Sequence, residues 1–293
     1  MKHLVDIFAG AGGWSHGWRM ATGSEPLLAV NHCAHAVHLH RLNHPGTEHH
    51  LKDVWEVDPR TAIAGRRVDW LHGSPDCTHH SRAKGGKPRE QKIRALADVL
   101  IDWARESRAP VVSLENVIEW LDWGPLDDAG HPIKERRGEC FREWLAKLRA
   151  LGYVVDWRVL CAADFGALTI RKRLFLIARR DGLPICWPAP THANPAKRDL
   201  FTGGLGAPAP AVVTKARHGL VTVEIDGTDY VLADIGLRML SPRELARAQG
   251  FPDSYVLEGT KSEQIARVGN SVCPAVAAAI VRANVAPAEA VVA

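Results

Sequence analysis

The 293-residue sequence contains no Cys-x-x-Cys pair, so neither a zinc knuckle nor a disulfide framework is expected. Its six cysteines stand apart at Cys33, Cys77, Cys140, Cys161, Cys186 and Cys273, a usage that fits a reducing, cytoplasmic setting. No stretch offers the ~20 unbroken apolar residues of a bilayer span, so no membrane is expected as a partner. Met1-Lys2-His3-Leu4-Val5-Asp6 returns to charge after two apolar positions and leads into a strand, so a signal peptide is not expected either. No internal repeat is present. With 46% hydrophobic and 24% charged residues, the chain has the composition of a folded protein rather than a disordered one. Its length suffices for one sizeable catalytic domain plus a smaller lobe. The formal net charge of +4 is compatible with a phosphate-bearing partner without requiring one.

Histidine is abundant, with fifteen in all. His32, His35 and His38 follow helical spacing, and His40, His44, His49 and His50 lie nearby. The pattern has no carboxylate or thiolate partner at a metal-site spacing. It reads as an exposed or partly polar helix face, and no metal site is expected.

The first 180 residues alternate apolar runs with helical stretches. Residues 4–8, 26–31, 68–72, 111–115, 154–160 and 173–178 read as strands. Helices are expected up to Met20 and over 35–42, 92–105 and 136–151. This alternation implies an open parallel sheet with helices on both faces, a Rossmann-like α/β fold. Ligands of such sheets bind beyond the carboxyl ends of the strands. After Arg180 the texture becomes rich in proline and glycine. Residues 220–225 and 230–235, joined by Asp226-Gly227, read as a hairpin. Ser241-Pro242-Arg243-Glu244 opens a helix with a capping box and proline at its first position. A last helix is expected over 274–284. The expected division is a catalytic domain of residues 1–180 plus 259–293, with a small loop-rich domain at 181–258.

Residues 8–13, Phe8-Ala9-Gly10-Ala11-Gly12-Gly13, connect the first strand to the first helix. Glycines there admit a ligand close to the backbone, and the helix amino terminus attracts an anion. A tight turn without a ligand gives the same pattern. The turn lacks the Lys-Ser/Thr ending of a phosphate-binding P-loop. Asn31 closes the second strand, where such folds place a group on ribose hydroxyls, and also suits a plain turn. Asp53 is placed to reach an adenine amino group, or is an ordinary loop residue. Residues 73–81, Gly73-Ser74-Pro75-Asp76-Cys77-Thr78-His79-His80-Ser81, put a thiol at the same sheet edge, and their polarity argues against a buried structural cysteine. Arg82, Lys84, Lys87, Arg89, Lys92 and Arg94 follow as a basic loop that would close on phosphates, or is merely solvated. Glu115 ends another strand as a general acid, a hydrogen-bond partner or a cap. Arg171 and Arg173 alternate, so they share a face.

In this order the blocks 8–13, the Cys77 loop, Glu115-Asn116-Val117, Arg171-Lys172-Arg173, 240–252 and 264–272 with Gly269-Asn270-Ser271-Val272 span nearly the whole chain. The set resembles the DNA cytosine-C5 methyltransferase family. The resemblance implies a methyltransferase that uses S-adenosyl-L-methionine, with Cys77 adding to cytosine C6 so that C5 becomes nucleophilic. It gives Glu115 the N3 contact and Arg173 the base O2. Arg171 would orient the glutamate. Cofactor contacts would come from Phe8, Gly10, Gly12, Gly13, Trp14, Asn31, Asp53, Asn270 and Ser271, with a core role equally open for Trp14. Ser81, Arg82, Lys84, Lys87, Lys215 and Arg217 are the nucleic-acid contacts expected. The target carbon is stacked in a duplex, so double-stranded DNA with its base flipped is the expected partner of a monomer.

Several positions depart from the family pattern. Asp76 stands where proline usually precedes the thiol, and a carboxylate there would raise the thiol's pKa. Thr78, His79-His80 and Thr169 also differ, and Asn31 replaces the usual ribose-binding acid. Only about sixty residues separate Arg180 from the 240–252 block. Such a short recognition region implies a short or degenerate target, because specificity needs side chains that reach base edges. An RNA substrate, as in a related branch acting on transfer RNA, and a non-catalytic nucleic-acid-binding relative are the alternatives.

Overall fold

The computed structural model describes residues 2–75, 96–127, 131–192, 219–226 and 231–285, with 219–226 and 231–238 described by their backbone alone. Seven strands form one sheet in the order β3-β2-β1-β4-β5-β7-β6. They are β1 Leu4–Ile7, β2 Leu28–Asn31, β3 Glu48–Leu51, β4 Trp70–Gly73, β5 Val111–Asn116, β6 Val154–Cys161 and β7 Lys172–Arg179. The pairings among β1 to β5 are all parallel. β7 is antiparallel to both β5 and β6, so β7 alone runs counter to the rest. The expected wholly parallel sheet therefore fails at this strand. The connection 162–171 holds only a 3-10 turn, Ala162–Phe165, and a parallel return needs a crossover of about a dozen residues or more.

Eight helices accompany the sheet among the described residues. They are α1 Gly13–Thr22, α2 Ala34–Asn43, α3 Pro59–Ile63, α4 Leu96–Ser107, α5 Glu139–Ala150, α6 Pro242–Ala248, α7 Lys261–Gly269 and α8 Pro274–Val285. Alternation along each strand divides the core into two layers. Val5, Leu71, Val112 and Leu176 pack with Leu100 and Trp103 of α4 and with Trp144 and Leu148 of α5. On the opposite face Leu4, Trp70, Val111 and Ile177 pack with Trp18 of α1 and with Val276, Ile280 and Val281 of α8. Asp6 shares Leu4's face, so its carboxylate points under α1.

A third cluster joins Leu245 and Ala246 of α6, Phe251, Tyr255, and Ile265 and Val268 of α7. The expected capping box is present, with Ser241 and Glu244 satisfying each other's backbone N–H and Pro242 opening the helix. Thr260 and Glu263 do the same for α7. Two hydrogen bonds dock the following segment on α2: Asn43 Nδ2 donates to the Val256 carbonyl at 3.1 Å, and the Val256 N–H donates to Asn43 Oδ1 at 2.8 Å. β8 Gly219–Asp226 and β9 Val231–Met239 form a separate antiparallel pair with an irregularity at Glu224/Ile225. This matches the expected hairpin.

Length and composition alone would let Lys261–Val285 cross a membrane, although it holds no unbroken apolar run of ~20 residues. It is two helices interrupted at 270–273, and most of its apolar window is buried inside the protein.

α1 and α8 approach closely because Gly17 has no side chain. A β-carbon there would lie 2.5 Å from Ala277 Cβ and 2.6 Å from the Pro274 carbonyl oxygen. Gly→Ala inside a helix normally stabilises by about 1 kcal/mol. At Gly17 overpacking should outweigh this, with Gly17→Ala lowering stability by about 1–3 kcal/mol. Urea unfolding followed by circular dichroism would check this; a raised midpoint would contradict the close helix contact.

Candidate active site

The ends of the strands bring Asn31, Glu115, Arg173 and the glycine turn to one edge. β1 runs into a turn with Phe8 at φ 65°, Gly10 at 55° and Gly12 at 83°, left-handed values that favour glycine and cost Phe8 strain. Gly12 is the N-cap of α1, and no side chain caps that end. Behind the turn there is no spare room. A β-carbon on Gly12 would lie 2.7 Å from the Tyr255 hydroxyl oxygen, and one on Gly13 would lie 2.1 Å from the Val272 carbonyl oxygen and 2.2 Å from Ser271 Oγ. At Gly10 only the Phe8 carbonyl oxygen, at 3.8 Å, comes within reach. The turn is therefore filled on its inner side and open on its outer side. That is the shape a small zwitterion would need to meet backbone N–H groups at a helix start.

Asn31 ends β2 at this edge, its Oδ1 accepting from the Cys33 N–H at 2.9 Å. Asp53 is exposed and caps the turn Val54–Glu56 by accepting from the Trp55 N–H. Asn270 is exposed beside the buried Ser271. Trp14, grouped with the cofactor contacts, lies in the core instead. It is 2% exposed and stacks on His72 at a centroid distance of 3.7 Å, so protein rather than solvent already covers its rings.

Ser74 and Pro75 follow β4 at the same edge. Cys77, Ser81, Arg82, Lys84, Lys87, Lys215 and Arg217 lie outside the described residues. A buried relay sets the departure of this segment. Trp70 Nε1 donates to Ser113 Oγ at 2.7 Å, His72 Nδ1 lies 2.8 Å from the same oxygen, and His72 Nε2 lies 2.8 Å from Ser74 Oγ. Burial pushes the His72 pKa well below its usual value, so the ring is neutral. With Ser113 donating to Nδ1, the Nε2–H donates to Ser74.

Glu115 at the end of β5 is 7% exposed. The reversed β7 presents Arg171 and Arg173 beside it, and all three line one cavity with Phe175 and Cys273. The shared face expected for the two arginines is present. Arg173 Nε lies 3.3 Å from Glu115 Oε1, while Arg171 Nη1 donates to the Gly269 carbonyl at 2.9 Å. Glu115 Oε1 is buried without an aligned hydrogen-bond donor, and its contact is the ion pair with Arg173. Thr169, just before this pair, is fully buried.

Sequence reasoning missed a second polar chain beneath the glycine turn. Ser15 Oγ donates to Asp6 Oδ2 at 2.6 Å, His40 Nε2 lies 3.0 Å from Ser15 Oγ, and His49 Nε2 lies 2.8 Å from His40 Nδ1. One direction satisfies every link, with His49 donating to His40 and His40 to Ser15. Burial raises Asp6 to about 7 and pushes His40 well below the imidazole range. Burial, helped by Arg19, lowers His16 to about 4 and His44 to about 3. Glu25 Oε2, 2.7 Å from His44 Nδ1, favours the charged ring but is outweighed by burial. The reading of an exposed histidine face holds for His32 and His38 and fails for the buried His40 and His44. Helical spacing could not reveal which side of α2 meets α1. An acidic residue inside the apolar run Leu4-Val5-Asp6-Ile7 was the available signal. Among the described residues no cluster suits a metal ion.

The sequence profile of the C-5 cytosine-specific DNA methylases matches residues 2–216 and 211–285. Type II methyltransferase M.NgoMIV of Neisseria gonorrhoeae is 27% identical, over 95% of this chain and 95% of its own. M1.HphI of Haemophilus parahaemolyticus is also 27% identical, over 95% of this chain and 85% of its own. M.AgeI of Thalassovita gelatinovora is 30% identical over 65% of this chain, which spans 42% of that longer protein. Among solved structures, DNMT2 of Spodoptera frugiperda superimposes with a TM-score of 0.70 at 16% identity, covering 98% of this chain and 100% of its own. A protein from an E. coli prophage, described as a DNA modification methyltransferase, gives 0.68 at 20% identity over 97% and 99%. At these identities the two structures support the fold.

The buried network sets a pH dependence of stability. Unfolded imidazoles take up protons below about pH 6.5, whereas folded His16, His40 and His44 resist until well below that. Each therefore removes stability as pH falls through this window. Asp6 acts with the opposite sign, because folding holds its proton from about pH 7 downwards. Three imidazoles outweigh one carboxyl, and two still would without His44. The urea midpoint should accordingly fall from pH 6.5 to pH 4.5, and more steeply in Asp6→Asn. A flat or rising profile would contradict the buried, neutral histidines.

Proposed function

We propose, from the premise that the chain belongs to the C-5 cytosine-specific DNA methylase family, that the sheet edge around Glu115 and Arg173 receives a cytosine flipped out of duplex DNA. The family fixes the reaction as transfer of a methyl group from S-adenosyl-L-methionine to cytosine C5 in DNA. It supports this reading over the RNA and non-catalytic alternatives. The observation that carries the assignment of the edge is the buried Glu115 oxygen with no aligned donor, 3.3 Å from Arg173 Nε. The cytosine 4-amino group, or N3 once it is protonated in the adduct, would supply the missing donor, and Arg173 would meet O2.

Bound S-adenosyl-L-methionine supplies an electrophilic methyl group. Phe8, Gly10, Gly12 and Gly13 would hold its amino-acid end at the open side of the turn, with Asn31, Asp53 and Asn270 along the same edge and Ser271 backing the turn. The chain's own residues do the rest. The Cys77 thiolate adds to C6, which loads electron density onto C5. Glu115 stabilises that adduct at N3, an interaction stronger in the adduct than in the free base. After methylation the C5 proton leaves and the thiolate is expelled from C6. Ser81, Arg82, Lys84, Lys87, Lys215 and Arg217 would hold phosphates and bases, and the enzyme acts as a cytoplasmic monomer. The relatives named as Type II methyltransferases place this activity in restriction-modification. The recognition lobe lies within 181–258.

Incubation with labelled S-adenosyl-L-methionine and DNA of mixed sequence, followed by nucleoside digestion, should yield 5-methylcytosine. Cys77→Ala should abolish it, and Glu115→Gln should slow transfer by at least about 100-fold. A methyl group on the exocyclic amine, or activity surviving loss of Cys77, would sink this reading.

A further inference from the structure

Gln249 ends α6 as a fully buried polar side chain, 0% exposed, far in sequence from every residue assigned to chemistry above. Its amide is fully engaged. Nε2 donates to the Val268 carbonyl at 2.9 Å and, at a longer 3.4 Å, to the Ser271 carbonyl. Oε1 accepts from the Cys273 thiol at 3.0 Å. One side chain thus bridges three points of the turn 268–273 between α7 and α8. A buried amide has value only when all its groups are paired, and here the partners all belong to a single turn.

That turn faces two ways. Toward the cofactor side, Ser271 Oγ and the Val272 carbonyl abut Gly13 so closely that a β-carbon could not enter. Toward the base side, the Gly269 carbonyl holds Arg171 Nη1 at 2.9 Å, and Cys273 itself lines the cavity with Glu115 and Arg173. Burial raises the Cys273 thiol to about 11, so it stays protonated and remains a donor to Gln249 rather than a second nucleophile.

We infer that Gln249, backed by Cys273, is a positioning pair that sets the distance between the methyl-donor turn and the Glu115–Arg173 cavity. The inference rests on the function proposed above. Removing the staple leaves both halves of the site present but frees the turn that joins them. Misplacement of about 1 Å between reacting groups costs on the order of 100-fold in rate.

The test uses Gln249→Leu, which keeps the volume and removes every hydrogen bond, together with Cys273→Ala and Cys273→Ser. Single-turnover methyl transfer should slow by about 10- to 100-fold in Gln249→Leu, with DNA affinity within about twofold of wild type. The dissociation constant for S-adenosylhomocysteine, read by calorimetric titration, should rise by about 5- to 10-fold. Cys273→Ser keeps a donor to Oε1 and should stay near wild type, while Cys273→Ala moves in the direction of Gln249→Leu. Thermal melts run in parallel give the folded fraction. The positioning role is overturned if folded Gln249→Leu keeps wild-type transfer and S-adenosylhomocysteine binding, or if every loss tracks the folded fraction alone. A wild-type protein that makes no 5-methylcytosine overturns the underlying function instead, and the S-adenosylhomocysteine titration then still reports on the staple.

Discussion

A side chain on Gly13 would collide with the Val272 carbonyl and Ser271 Oγ at little more than 2 Å. From this single exclusion much of the reactive edge follows. The start of α1 can touch the turn before α8 only if Gly13 carries no side chain, and that contact holds the last helices against the start of α1. Gly17 repeats the constraint one turn further along α1, against Pro274 and Ala277. The same pairing of α1 with α8 closes one face of the sheet over Trp18 and Trp70. Tyr255 also donates its hydroxyl to the Ala11 carbonyl, so α6 and its following segment are tied to the glycine turn as well. Residues from opposite ends of the chain are thereby fixed against each other before any ligand arrives.

The reversal of β7 is the second constraint. Were β7 parallel to its neighbours, its first residues would lie at the far edge of the sheet. Running backwards, it begins where β5 ends, so Arg171 and Arg173 meet Glu115 across the Glu115↔Phe175 register. A strand normally offers one residue at the functional edge of an α/β sheet. This hairpin offers two cations on one face, one turned to the glutamate and the other to the Gly269 carbonyl.

The sequence made the central strands legible because they are short, apolar and bounded by turn residues. Ser241 and Glu244 made α6 legible through their reciprocal capping. β3 left no such signal. Glu48-His49-His50-Leu51 is a polar edge strand with neither face fully buried, so it has no hydrophobic period to detect. The direction of β7 was equally silent, since direction depends on the length of a connection whose 3-10 turn carries no strong pattern. At the site, Glu115 and both arginines could be read from their strand-end positions. Asp6, Ser15 and His40 could not be read together, because their meeting depends on how α2 lies against α1. Trp14 was legible only as two alternatives, a stacking face beside the turn or a core residue. An aromatic residue next to a glycine turn suits a stacking role, but its position one residue into α1 turns it toward His72 and the sheet.

The buried chain from Asp6 to His49 bears on how the glycine turn keeps its strained shape. Gly12 sits against His40 Nε2 and the Tyr255 hydroxyl, so charge on His40 would place a cation directly beneath the positive end of α1. Burial keeps that ring neutral, and its Nε2–H is spent on Ser15 rather than on the turn. Burial raises Asp6 to about 7, within reach of neutral pH. Ionised, it lies beneath the first turn of α1 and adds to the attraction between that helix start and its surroundings. The polar chain thus keeps the underside of the helix start free of a cation while packing holds the turn in place. An apolar core at these positions would supply only the packing.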